Sequence, residues 1–420
     1  MSYLSNLQKG IREEKEKQFK KVSEVKPSLF RNLNLTNQQV LLSKDTEQKL
    51  DKLSKERKEL YKKLYEELKN SINIVDVKDV IKNVELPNNN KISFISLFEN
   101  DLGENHYASV YLDLILEYEV KGDIIPGKTK LFETSSGSGG IACSKVAKDL
   151  GYSCLIALPA GGEKAREDTI KQNGAELELT DAQQYTNGFP MFVKRFLIRN
   201  KDAVNNKELF FLSHSQGKLR EDGTFDNNEI TIRALSKIGY NILQFFNNNG
   251  RHLDYFISGI GNGTNTLGIG GPLHLHGTKI IGFETFEGAN MYDRIYPGKY
   301  EENFNIKPGE LGRHSMPGLS PSNNKIYFPH FENSVDMIDS VYLVGNKQVK
   351  LKYQEQTGKQ IPENIIYYDN DLYALSDWGR TTKAGFYVAM ELTSKVKDKE
   401  ILMLGYDKAN RYDDYLVEKI

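Results

Sequence analysis

Two glycine-rich turns, each set between a short apolar run and a helical pattern, constrain this chain more than any other feature. The first is Glu133-Thr134-Ser135-Ser136-Gly137-Ser138-Gly139-Gly140-Ile141-Ala142, and the second is Ser258-Gly259-Ile260-Gly261-Asn262-Gly263-Thr264-Asn265-Thr266-Leu267-Gly268. Glycines let the backbone turn tightly. Successive N–H groups then point into one concavity at a helix N-terminus, which suits a carboxylate or a phosphate. One such turn is no more than a strand-to-helix connection needs. Two of them, each at the carboxyl end of a strand, say more, because open α/β sheets bind ligands there, where strand order reverses.

The pattern around the turns supports that setting. Strands are expected at 92–98, 129–133, 153–158, 176–179, 255–258, 279–283, 341–344 and 401–404, with helices at 141–150, 163–173, 229–248 and 381–396. Alternation of this kind predicts βα units and a mostly parallel sheet. The stretch 284–333 is rich in Gly, Pro, Asn, Tyr and His and reads as a long irregular lid or edge segment. Residues 1–75 are charge-rich and helical by period, with Leu50, Leu53, Leu60, Leu64 and Leu68 near one face and Asp45 and Thr46 as candidate caps. That helix suits a partner or dimer contact, or packing on its own core.

Composition excludes several classes. Lys and Arg total 56 against 57 Asp and Glu, a formal net charge of −1, so no global field draws nucleic acid or membrane. The mean hydropathy is −0.54, and no apolar stretch approaches the roughly 20 residues that span a bilayer. The first residues carry no apolar signal core. Cys143 and Cys154 sit among small apolar residues and read as buried free thiols. A cytoplasmic enzyme or binding protein is expected.

The order of motifs resembles the fold-type II pyridoxal phosphate enzymes, the cysteine synthase and tryptophan synthase β family, over about residues 92–412. Ser135-Ser136-Gly137-Ser138-Gly139-Gly140 resembles the family's Thr-Ser-Gly-Asn-Thr-Gly loop, which grips the substrate carboxylate. Leu158-Pro159, Lys164-Ala165-Arg166 and Gly174-Ala175-Glu176-Leu177 follow in the family's order. Gly259–Gly268 is similar to its phosphate loop, and Gly282-Phe283-Glu284 to the Gly-Val-Glu that follows. Gly379-Arg380-Thr381-Thr382-Lys383-Ala384-Gly385 stands where the family has a turn facing the pyridine nitrogen, and Asp407–Tyr412 resembles the Gly-x-Arg-Tyr near its end.

The resemblance implies a two-domain α/β scaffold with an N-terminal helical extension at 1–75. A large domain at 76–100 and 226–420 would carry the phosphate-type loop, and a small domain at 101–225 the carboxylate-type loop. It implies Ser135, Ser136, Gly137, Gly139 and Gly140 as substrate-binding residues. Gly261, Asn262, Gly263, Thr264, Asn265, Ser138 and Thr382 are the implied contacts to pyridoxal phosphate. It further implies an amino-acid substrate, β-elimination or β-replacement chemistry and a homodimer, with no nucleic acid or membrane partner.

One departure bears on all of this. The family's lysine lies in a Gly-Ser-x-Lys-Asp-Arg segment, and here that segment reads Gly103-Glu104-Asn105-His106-Tyr107-Ala108-Ser109. A phenol forms no Schiff base. Three accounts stay open. Another lysine, best Lys383, takes over the covalent link, although the same turn also resembles the Gly-Arg-Gly-Asp-Lys of tryptophan synthase β, which leaves Lys383 an ordinary structural role as well. Alternatively the cofactor binds without covalent attachment while Tyr107 and His106 move protons. Or the cleft holds an amino acid or phosphorylated metabolite with no cofactor and no catalysis. Tyr107 also has a plain role available, filling the volume of a lost lysine.

Other residues say less. His274 and His276 share a face if that segment is a strand, but no third ligand for zinc is near. His314 and His330 are placed in the irregular stretch to line a closing cleft, and Tyr292–Pro297 suits a cleft wall or a dimer contact. His214 and His252 read as structural.

Overall fold

The apolar runs resolve into two sheets. A computed structural model describes residues 41–82, 84–217, 226–319, 329–361, 365–369 and 375–413. The first 40 residues of the expected extension and 320–328 of the expected lid lie outside the described residues. Residues from Gln38 onward form one compact unit.

The larger sheet contains β1 (Asn73–Asp76), β2 (Lys91–Ser96), β7 (Tyr255–Gly259), β8 (Lys279–Thr285), β9 (Ile338–Gly345), β10 (Ile366–Tyr367) and β11 (Glu400–Gly405). Their order is β1-β2-β11-β7-β8-β9-β10, parallel except for β1 against β2. The smaller sheet contains β3 (Lys130–Thr134), β4 (Ser153–Pro159), β5 (Glu176–Thr180) and β6 (Leu209–Phe211), in the parallel order β5-β4-β3-β6. Strands β2, β7, β8 and β11 are buried along nearly their whole length. Burial on both faces is why they read as continuous apolar runs rather than alternating ones.

The expected strands and helices are present to within a few residues. The expected boundary at residue 75 cuts through β1, which belongs to the large sheet. Within the irregular stretch the chain forms short helices at Asn290–Ile295, Lys299–Phe304 and Pro329–Ser334.

The helical segment before the sheets is two helices, not one. Ser43 caps α1 (Lys44–Leu50) by accepting from Thr46 N, and Ser54 caps α2 (Lys55–Ser71) by accepting from Arg57 N. The caps are these serines rather than Asp45 or Thr46. Leu50, Tyr61, Leu64, Tyr65 and Leu68 are buried, while Leu53 falls in the break and Leu60 is half-buried. The pair packs on α3 (Tyr107–Val120). Tyr65 donates to Asp113 at 2.5 Å, and Arg57 grips Glu119 with Nε at 2.7 Å and Nη2 at 2.5 Å. Lys49 pairs with Glu117 at 2.6 Å. This part of the extension therefore covers the chain's own core.

A pH dependence follows from that docking. Burial alone would raise the Glu117 carboxyl, but its bonds to Lys49 and Lys121 outweigh burial and hold it at about 2 against an ordinary 4.5. A depressed carboxyl contributes stability above its unfolded value and loses it as pH falls. The protection of α1 amides, after correction for intrinsic exchange, is therefore expected to fall as pH drops from 4.5 toward about 2, beyond the general acid response, and Glu117→Gln should remove that excess. Identical pH profiles in wild type and variant would contradict this.

Candidate active site

The turn after β3 is built by its own hydroxyl. Ser135 Oγ accepts from Gly137 N at 3.0 Å and Gly140 N at 2.8 Å, and α4 (Ser138–Asp149) starts there. Gly137 has φ +145°, and a Cβ on it would lie 2.5 Å from Arg166 Cδ, so only glycine fits. The turn after β7 is organised by Asn262, whose Oδ1 accepts from Thr264 N at 3.1 Å and Thr264 Oγ1 at 2.7 Å. Gly263, at φ +88°, leads into α7 (Thr264–Gly268). A Cβ on Gly261 would strike the Gly318 carbonyl, so this turn is lidded by 317–319.

Both turns open on one cavity of about 120 Å³, at the carboxyl ends of parallel strands. Among the sequence-derived candidates, His106, Tyr107, Ser135, Ser136, Ser138, Gly139, Gly261, Asn262 and Asn265 line it. Gly137, Gly140, Gly263, Thr264, Thr382 and Lys383 are not on its wall. Gly140 turns toward Ile156 and Ile170. Thr382 is buried with its hydroxyl between Tyr406 N and the Asp407 carbonyl, and its neighbour Thr381 faces the cavity instead. Lys383 is half-buried in the first turn of α8 (Arg380–Lys395).

The third wall is the start of α3. Asn105 Oδ1 accepts from Tyr107 N at 2.9 Å, and its Nδ2 donates to the Ser138 carbonyl at 3.0 Å, tying this helix to the first turn. His106 and Tyr107 share the rim with ring centroids 4.2 Å apart. The Tyr107 phenol lies near the side chains of Thr264 and Asn262, so it reaches across the cavity toward the second turn. Burial pushes the phenol up, and those two polar neighbours only partly offset it. No lysine or arginine occurs between Glu99 and Leu112. Among the described lining residues the one cationic side chain is Arg166, and none is a lysine.

Arg166, on α5 (Lys164–Gln172), crosses to the end of the chain. Its Nη2 lies 3.1 Å from Asp407 Oδ2, with both side chains under 7 % exposed. Tyr412 donates to the same oxygen at 3.1 Å, and the Arg166 and Arg380 guanidinium carbons lie 4.9 and 4.4 Å from its ring centroid. Asp413 accepts from Lys164 N and Ala165 N at 2.9 Å, capping α5. Burial pushes the Asp407 carboxyl up, and Arg166 is the main group opposing it.

Sequence reasoning missed His214. It lines the cavity, with Nδ1 3.1 Å from Glu133 Oε2 and 3.2 Å from the Tyr111 phenol oxygen. Its partner lies 81 positions away, which no local pattern reveals. His330 and His314 are buried but are not on the wall; His330 Nε2 accepts from Asn228 N at 2.9 Å, and His314 Nδ1 from Met316 N at 3.1 Å. His274 lies in the helix Gly270–Leu275 and His276 at its C-cap, not on a strand. Among the described residues no cluster of three metal-ligating groups occurs. Tyr292 packs against Tyr296, Tyr300 and Phe304 rather than on the cavity wall. Cys143 and Cys154 are buried and free, with sulfurs 3.7 Å apart. No helix among the described residues is long and apolar enough to cross a membrane.

Comparison with known proteins agrees with this architecture. A cysteine synthase of Aquifex aeolicus (strain VF5) is 28 % identical over 202 residues, which is 46 % of this chain and 56 % of that protein. The chain thus spans little more than half the length of that relative. A cysteine synthase of Staphylococcus aureus (strain Mu50 / ATCC 700699) is 25 % identical over 258 residues, 60 % of this chain and 69 % of that protein. The crystal structure of O-ureido-L-serine synthase matches the fold with TM-score 0.59 at 19 % identity, over 81 % of this chain and 90 % of that one. An O-acetylserine dependent cystathionine beta-synthase from Helicobacter pylori matches with TM-score 0.58 at 18 % identity, over 82 % and 94 %. The family model for pyridoxal-phosphate dependent enzymes matches residues 109–354, more than half of the 420. With both glycine-rich turns opening on one cleft between parallel strands, and with that match across them, the chain belongs to the family of pyridoxal-phosphate dependent enzymes.

Proposed function

We propose that this chain is an amino-acid-directed, cysteine synthase-like member of its family that holds pyridoxal phosphate without a covalent link to the protein. The observation that carries the reading is a cavity faced by both anion-binding turns, whose described wall contains no lysine and has Tyr107 at the start of α3. Polar atoms without partners support a polar occupant. Both ring nitrogens of His106 and Oδ1 of Asn265 are buried on that wall with no hydrogen bond. Leaving such groups unpaired costs about 1–3 kcal/mol each, which a ligand recovers. These features fit the cofactor's phosphate and ring; they do not fit a Schiff base to the protein.

In this reading the turn 261–265 holds the phosphate and Thr381 faces the ring. The bound cofactor supplies an electron sink for reactions at an amino acid's α- and β-carbons. The chain's own residues do the rest. The Ser135–Gly140 turn orients the carboxylate through its remaining N–H groups, since those of Gly137 and Gly140 donate to Ser135 Oγ. Tyr107, kept neutral by burial, donates rather than abstracts. The lid at 317–319 excludes water.

A second reading is favoured by two specific facts. Asn262 already satisfies both the N–H and the hydroxyl of Thr264 in the second turn, and the cavity of about 120 Å³ is small. Typical small-molecule sites begin at roughly 300 Å³. In this reading the cleft binds an amino acid or phosphorylated metabolite with no cofactor. The test is to add pyridoxal phosphate to the purified protein, follow its visible absorption through dialysis, then add O-acetylserine or L-serine. We expect colour at one cofactor per chain and a spectral change with the amino acid. A protein that takes up no colour sinks the first reading and leaves the second.

A further inference from the structure

We propose that His214, held in place by Glu133, is the proton-transfer residue of this cleft, acting on the amino acid whose carboxylate sits in the Ser135–Gly140 turn. The inference rests on the amino-acid reading above. It begins with a buried carboxyl group. Glu133 is fully buried on β3 and accepts from Thr134 N at 2.7 Å and from His214 N at 3.0 Å. Its one ion-pair partner among the described residues is the His214 ring, Nδ1 to Oε2 at 3.1 Å. The Glu133 carboxyl and, at 3.2 Å, the Tyr111 phenol oxygen both lie against Nδ1 and position the ring, so Nε2 is the ring nitrogen left for the cleft. Ser213, at φ +56°, sets the unusual backbone that turns the histidine inward.

Position supports the same role. A methyl group on Gly139 would lie 3.9 Å from His214 Cε1 and 3.3 Å from the Tyr111 oxygen, so the imidazole borders the carboxylate turn. The other candidates on the wall are poorer. His106 is pushed down to about 3 by burial and by His214 beside it, and no group orients its ring. Tyr107 is pushed up by burial. The groups facing His214 are Glu133 on β3, His106, Tyr107 and Tyr111 at the start of α3, and His330 from the helix Pro329–Ser334. None of them is a lysine or an arginine.

The step balances with the pyridoxal phosphate of that reading as the electron sink it would supply. The amino acid's Cα–H bond breaks, its electron pair stays on the ligand, and the proton forms an N–H bond at Nε2. That N–H exchanges with solvent before the carbon is reprotonated, so in D₂O a deuteron is delivered back and deuterium enters at Cα.

The test uses the full chain with pyridoxal phosphate and L-serine in D₂O, read by proton NMR. Oriented proton transfer contributes about 100- to 10,000-fold. His214→Gln is expected to slow Cα–H exchange about 100-fold or more. The same variant should leave L-serine affinity within about threefold and flatten the pH profile of exchange. Glu133→Gln, nearly isosteric, serves as the second variant and should slow exchange while shifting the His214 ring-nitrogen signals. Exchange within threefold of wild type in His214→Gln, or an equal loss of binding and exchange, would overturn the proposal. If the wild type takes up no cofactor, the functional reading fails first. His214 is then decided by its ring ¹⁵N signals, which must move when L-serine is added; unmoved signals overturn the assignment.

Discussion

Replacing Tyr107 with lysine is expected to turn a separable cofactor complex into a covalent one. Tyr107 occupies the first position of α3, and its side chain reaches Thr264 and Asn262 across the cavity. A lysine there starts from the same backbone and has similar reach. Burial that raises the phenol would lower an ammonium, favouring the neutral amine that condenses with an aldehyde. The cost is moderate, because Asn262 and Thr264 keep their mutual bond when the phenol is removed. A loss of about 1 kcal/mol of stability is expected for the ring's lost contacts. Borohydride treatment of the loaded Tyr107→Lys protein should fix one cofactor on the peptide containing residue 107. If the variant folds, takes up colour and shows no fixed cofactor, Tyr107 does not stand where the family keeps its lysine.

The second large effect is on stability. Arg166→Ala should destabilise the protein by about 3–5 kcal/mol, the cost of leaving one member of a buried ion pair without its partner. Arg166 and Asp407 are 3 % and 6 % exposed, and the carboxyl is already pushed up by burial. The guanidinium also stacks on Tyr412 and donates to the Arg411 carbonyl at 3.3 Å, so the loss includes packing. Urea unfolding is the measurement, and a change under 1 kcal/mol would show that Asp407 is neutral or otherwise compensated. The double variant Arg166→Met with Asp407→Asn should recover part of the loss, since no lone charge is then left behind.

What could be read from the sequence had a physical reason, and so did what could not. Helix α6 (Glu229–Asn248) is legible at both ends because Asn228 caps it and its apolar face is regular. The buried parallel strands announce themselves as apolar runs. The helix that bears Tyr107 does not. Ala108–Leu112 and Leu114–Leu116 are all buried, so α3 has no polar face to set a period. That helix was missing from the expected elements, and with it the reason His106 and Tyr107 share one rim. Strands β6 and β10 have three and two residues, too short to leave a pattern.

The site divides in the same way. Each glycine-rich turn is local, so its residues were found together. The pairs that complete the cleft are distant in sequence. Arg166 and Asp407 are 241 positions apart, and Glu133 and His214 are 81 apart. Thr381 rather than Thr382 faces the cavity because Thr382 is used by Tyr406 N. Lys383 follows from the same helical turn, which carries its side chain off the wall.

The central claim is that this cleft accommodates pyridoxal phosphate without an amine of its own. The direct measurement is the intact mass of the wild-type protein after loading with the cofactor and reduction with borohydride. An unchanged mass, from a protein that was coloured beforehand, is the expected result. A gain of one reduced cofactor, mapped to Lys383 or to any other lysine, would contradict it.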